Sequence, residues 1–149
     1  MSRKGWIISA VVGLFIAIAI GSTFVFSSGK GEVMELSPLE MKKFMSEDGT
    51  GFVMLNSNRW HSDDWIYLVK KLAEQEKIEV RGLNENREDV PGTSNPYDWG
   101  LSQRRDSLAY YEKGKLKKDI DFSKYKKSDV DLEKAVSNFI QSCKERYQK

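Results

Sequence analysis

The chain has 149 residues, 31 % charged and 40 % hydrophobic, which is enough for one core and too apolar for a disordered polymer. Its formal charge is +2, and Arg3 and Lys4 are the only charged side chains before Lys30. The remainder carries 22 basic and 22 acidic groups, which gives no support to nucleic acid as a partner, and the lone Cys143 excludes an intrachain disulfide and a cysteine-built structural zinc site.

From Ile7 to Phe26 runs a stretch of twenty residues without a charge. As a helix at about 1.5 Å per residue it spans roughly 30 Å, the thickness of a bilayer's hydrocarbon core. Trp6 stands at its border, and the Met1 amine, Arg3 and Lys4 form the positive cluster that stays inside, so the chain after Lys30 is expected on the outer side of the cell membrane. A cleaved signal peptide is the competing reading, because Ala17-Ile18-Ala19 offers a small-x-small match. The apolar run then continues through Ile20, Phe24, Val25 and Phe26 with no such match at its far end, which favours an uncleaved single-pass anchor with residues 1–6 as a cytoplasmic stub. Residues 27–31, small and polar, read as a flexible tether to an outer domain over residues 32–149.

Within that domain Glu32 to Leu36 is a short strand. Ser37-Pro38-Leu39-Glu40 places a capping serine, a proline at the first helical position and a glutamate that can reach back to the cap amide. Leu36 and Met41 complete a hydrophobic staple, and the helix should end before Gly49-Thr50-Gly51. Phe52 to Leu55 is a continuous apolar run, expected as a strand buried on both faces. Ser62 is expected to cap a second helix, with Asp63 and Asp64 at the positive end of its dipole and Trp65, Leu68, Val69, Leu72 and Ala73 on one apolar face. Ile78 to Leu83 is the next strand. Residues 84–103 are rich in turn formers and hold at most one short helix near Tyr97 to Leu101. Ser107 to Tyr111 and Lys115 to Ile120 flank Glu112-Lys113-Gly114 as a β-hairpin. Ser128 then caps a last helix whose face is Leu132, Ala135, Val136, Phe139, Ile140 and Cys143. The two halves of the domain, divided at Gly100, carry −5 and +5, and their charges are expected to interleave within one fold.

This α/β order resembles the thioredoxin-like fold, a mixed sheet flanked by helices, over Glu32 to Cys143. Phe52 to Asn56 followed by Arg59-Trp60-His61-Ser62-Asp63-Asp64 is similar to that family's strand and Trp-Cys-Gly-Pro-Cys helix start, and Ser107 to Lys115 to its Pro-Thr-Leu-x-x-Phe-x-x-Gly-Lys hairpin. The resemblance sets Trp60 on the family tryptophan, His61 and Asp64 on the two catalytic cysteines, and Asp106 on the cis-proline. Dithiol exchange needs a nucleophilic thiolate and a resolving sulfur, so the resemblance implies a domain that is redox-inert by the family's mechanism. The anchor and the added strand and helix are similar to membrane-bound thioredoxin-like proteins of Gram-positive bacteria, including bacteriocin transport accessory proteins.

His61, Asp63 and Asp64 make a thin ligand set, and neither a metal nor a cofactor is expected. Cys143 falls on an apolar face, where a lone cysteine acts as a small hydrophobe. Trp65 fits core periodicity, which leaves Trp60, Tyr97 and Trp99 as an aromatic recognition surface, while Arg104 and Arg105 beside Asp106 read either as a site for an acidic group or as solvated loop charges. The expected role is that of a non-catalytic module binding a protein or peptide. The alternatives are an enzyme working through Cys143 alone or through His61, and a structural subunit of an envelope secretion or conjugation complex.

Overall fold

The computed structural model describes residues 31–125 and 129–148. Ile7 to Phe26, the tether up to Lys30 and the expected cap Ser128 lie outside the described residues. Among those described, no helix is long and apolar enough to cross a membrane.

The strands are β1 (Glu32–Glu35), β2 (Gly51–Asn56), β3 (Glu79–Asn84), β4 (Ser107–Glu112) and β5 (Lys115–Asp121). They form one sheet in the order β1-β3-β2-β4-β5, with β1, β3 and β2 mutually parallel and β4 and β5 antiparallel. Helices α1 (Pro38–Glu47), α2 (Ser62–Glu76) and α3 (Asp129–Tyr147) flank it, with short 3₁₀ turns at Pro96–Trp99 and Phe122–Lys124. This is a mixed sheet with helices on both faces, in the element order that the resemblance implies.

Alternation along β2 decides how the layers sort. Successive side chains of a strand leave opposite faces, so Phe52 and Met54 meet α2 and α3, while Val53 and Leu55 meet α1 and the Pro96–Trp99 turn. Residues 52–56 are all buried, as a continuous apolar run between two helical layers requires. The first cluster also holds Trp65, Val69, Leu72 and Ala73 of α2 with Leu132, Val136, Phe139, Ile140 and Cys143 of α3, and the expected helix faces therefore point inward. Leu68 and Ala135 are half-buried at the margins.

α1 begins as its sequence dictates. Ser37 Oγ accepts from the Glu40 amide at 3.2 Å, Glu40 Oε1 accepts from the Ser37 amide at 3.4 Å, and Leu36 and Met41 are both buried. At the far end of the sheet Lys113 and Gly114 make a two-residue turn with φ of 51° and 79°. Positive φ at both positions matches the twist of the flanking strands. Gly49 packs against this turn and accepts from the Gly114 amide at 2.9 Å; a Cβ at position 49 would stand 2.5 Å from that nitrogen. At the opposite pole the C-terminal ends of β2 and β3 and the start of β4 come together, and there the chain turns into α2.

Candidate functional site

β2 ends at Asn56, and after five connecting residues α2 begins at Ser62. Antiparallel pairing sets Ser107 opposite Leu55, which brings Asp106 alongside the connecting turn. Asp106 has φ 58°, a left-handed conformation that aspartate tolerates better than most residues. From there Oδ1 accepts from the amides of Ser57 at 2.8 Å and Asn58 at 3.0 Å, and Oδ2 accepts from Ser57 Oγ at 3.2 Å. Asn58 carries the chain onward, its Oδ1 accepting from the amides of Trp60 at 2.8 Å and His61 at 3.2 Å. Ser62 N donates to Asn58 O, and Trp65 N opens the helical ladder by donating to His61 O.

This arrangement corrects the expected start of α2. Its N-cap is His61, which makes no side-chain capping bond, and Ser62 is the first helical residue, buried at 4 % exposure. Asn58 and the distant Asp106 hold the turn that a local cap would otherwise have held. Among the described residues every peptide bond is trans. Serine followed by two aspartates suggests a cap by local rules; an asparagine two and three residues ahead of the Trp60 and His61 amides was the informative signal.

His61 is exposed, with its ring 5.7 Å from that of Trp65, and Trp65 in turn packs 5.4 Å from Phe122. Asp63 and Asp64 are exposed on the first turn. From His61 a cleft of about 680 Å³ extends between α2 and the start of α3, floored by Trp65, Leu68, Phe122 and Leu132. Lys71 and Glu133 line it and pair across it at 2.9 Å. Phe122 is delivered by a turn that the sequence reading missed, in which Asp121 Oδ1 accepts from the Ser123 amide at 2.9 Å.

The other expected binding residues separate. Trp60 is 87 % exposed at the approach to α2, and Tyr97 is 70 % exposed on the Pro96–Trp99 turn, which belongs to the α1 layer on the other face of the sheet. The structure does not gather them into one aromatic surface. Trp99 is 6 % exposed in the cluster with Met41 and Met45 of α1, so its place is in the core and not in a recognition surface. Arg105 is already engaged, its Nε 2.8 Å from Glu85 Oε1 and its Nη2 3.3 Å from Glu85 Oε2.

No family model matches the chain, and no curated protein matches it. Among solved structures it is similar to thioredoxin f2 of Chlamydomonas reinhardtii, with a TM-score of 0.49 and 12 % identity over 81 % of this chain and 99 % of that chain. What the site can do is therefore read from its own side chains.

Those side chains carry no sulfur. Cys143 lies on the inner face of α3 at 0 % exposure, and burial pushes its thiol above the ordinary 9.0 against a smaller opposing pull from Lys118. It is held as a protonated thiol in the core, the form least able to attack a disulfide. Among the described residues no three His, Cys, Asp or Glu side chains converge as metal ligands. The site offers an exposed indole, an imidazole, carboxylates and an aromatic-floored cleft beside a firmly held turn.

Proposed function

We propose that the chain is a membrane-tethered, redox-inert thioredoxin-like protein that binds a protein or peptide at the outer face of the cell membrane, through the turn before α2 and the adjoining cleft. The observation that carries this reading is the state of the site. The resemblance sets His61 and Asp64 on the family's cysteine pair and Asp106 on its proline. Yet the turn between them is fixed by five hydrogen bonds from Asp106 and Asn58. A geometry maintained without its sulfur chemistry suits recognition, and Trp60, 87 % exposed and next in the chain to the cleft-lining His61, is the side chain best placed to make contact. Burial of Cys143 argues against the single-thiol enzyme. Export accessory and bacteriocin self-protection roles are both forms of this function.

The test has two parts. Alkaline carbonate should leave the full-length protein with the membrane pellet, and a pull-down from those membranes should recover a partner that Trp60→Ala loses. Release into the supernatant would remove the tether from the proposal. Partner recovery unchanged by Trp60→Ala would remove the site.

A further inference from the structure

We infer that the cleft receives its partner as an amphipathic helix, with a basic residue at the end that meets Asp64, and not as an extended strand. The inference rests on the recognition reading above and adds the form of the ligand to it.

The walls of the cleft come from α2, the turn before it, the Phe122–Lys124 turn and the start of α3, and among the described residues no strand lines it. An extended segment gains its hold by pairing its main chain with a free strand edge. Most turn amides beside the cleft are already engaged. Those of Ser57 and Asn58 donate to Asp106, those of Trp60 and His61 to Asn58 Oδ1, and that of Ser62 to Asn58 O. On the opposite wall Phe122 N donates to Asp106 O at 2.9 Å, Ser123 N to Asp121 Oδ1, and Tyr125 N to Phe122 O at 3.1 Å. A strand laid here would bury main-chain groups without partners, whereas a helix brings its hydrogen bonds with it.

From His61 to Lys71 the cleft follows α2 for about 15 Å, the length of ten helical residues. A helix of that length and about 10–12 Å across occupies roughly 1,200–1,700 Å³, about twice the 680 Å³ of the cleft, which therefore seats one face of it. Trp65, Leu68, Phe122 and Leu132 make the apolar floor for that face, and the exposed Tyr67 and Tyr125 line its rim. A ring at such an edge makes apolar contact while its hydroxyl stays in water.

Charge selects the end of the helix that meets each end of the cleft. Lys71 and Glu133 neutralise each other where they pair. Asp64, two turns nearer the start of α2, also lines the cleft and among the described residues makes no ion pair, and the exposed Asp63 adjoins it in the chain. The unbalanced charge is negative, and a lysine or arginine on the partner complements it.

The form of the ligand is measurable by display selection of random peptides of about sixteen residues, longer than the cleft, on the full-length chain in lipid nanodiscs. Enriched peptides should carry apolar residues at spacings of three and four, with lysine or arginine toward one end. A proline at the centre of an enriched peptide should weaken binding by about tenfold or more. Asp64→Lys should weaken it by about tenfold and Tyr67→Ala several-fold, while Leu39→Ala, an exposed apolar residue of α1, should leave it unchanged. Apolar residues at every second position, binding that survives the proline, or binding indifferent to both Asp64→Lys and Tyr67→Ala overturns the inference; loss on Trp60→Ala in that case leaves the recognition reading standing. Failure to enrich any peptide also overturns the inference, and the membrane pull-down then decides the recognition reading by itself.

Discussion

The two helix starts on either side of β2 are built on different principles. α1 is closed by residues within one turn of each other, Ser37, Pro38 and Glu40, and its cap draws on no residue from elsewhere in the chain. α2 has no capping side chain of its own; the turn that launches it hangs from Asn58 and from Asp106, which lies 48 to 49 residues away in sequence. The first is scaffold and is set locally. The second bears the site and exists only once β4 has paired with β2, so a change at Asp106 can loosen the site while leaving the sheet in place.

Substitutions at the two starts and their supports should break or confirm that contrast, and they fall in a definite order. The largest effect belongs to Trp99→Ala, which empties a buried ring from the α1 layer and should cost about 3–5 kcal/mol in urea denaturation. Next is Asp106→Ala, which strands two part-buried amides and sets alanine in a left-handed conformation, at about 3 kcal/mol. Hydrogen exchange at the Trp60 and His61 amides should accelerate with it, and Asp106→Asn, which keeps one acceptor and tolerates φ 58°, should lose about half as much. Unchanged exchange at those amides would mean that Asn58 alone holds the turn. Tyr111→Phe should cost about 1–2 kcal/mol, because the buried hydroxyl accepts from the amides of Ser102 and Gln103, each at 3.0 Å, and so fixes the loop that leads to Asp106. Ser37→Ala should cost about 1 kcal/mol, with faster exchange confined to the first turn of α1 and none at Trp60. Trp60→Ala should change stability by less than about 0.5 kcal/mol, as suits a side chain that serves a partner and not the fold.

The same contrast explains what the sequence could and could not reveal. Periodicity gave the inner faces of α2 and α3, and the β2 run gave its burial on both sides, because those patterns are the direct imprint of solvent exclusion. The capping box at Ser37 and the turn at Lys113–Gly114 were legible because they depend on neighbours in the chain. The Ser62 cap failed for the opposite reason: its local rule was overridden by a carboxylate supplied from β4. Trp99 reads as a surface ring because, unlike Trp65, it falls on no periodic helix face, and nothing in its loop announces that the Pro96–Trp99 turn folds back beneath α1. Within the site, Trp60 is exposed as its surface reading requires, but the cleft that begins at His61 joins residues from α2, the Phe122–Lys124 turn and α3, a junction that only the tertiary fold creates.

The central claim, a binding site without redox chemistry at the Trp60 pole, is tested most directly by photo-crosslinking in native membranes from a full-length chain carrying a photoreactive residue at position 60 or at position 113. A discrete polypeptide adduct from position 60 and none from position 113 is the predicted result. An adduct from position 113 alone, or none from either, would contradict it.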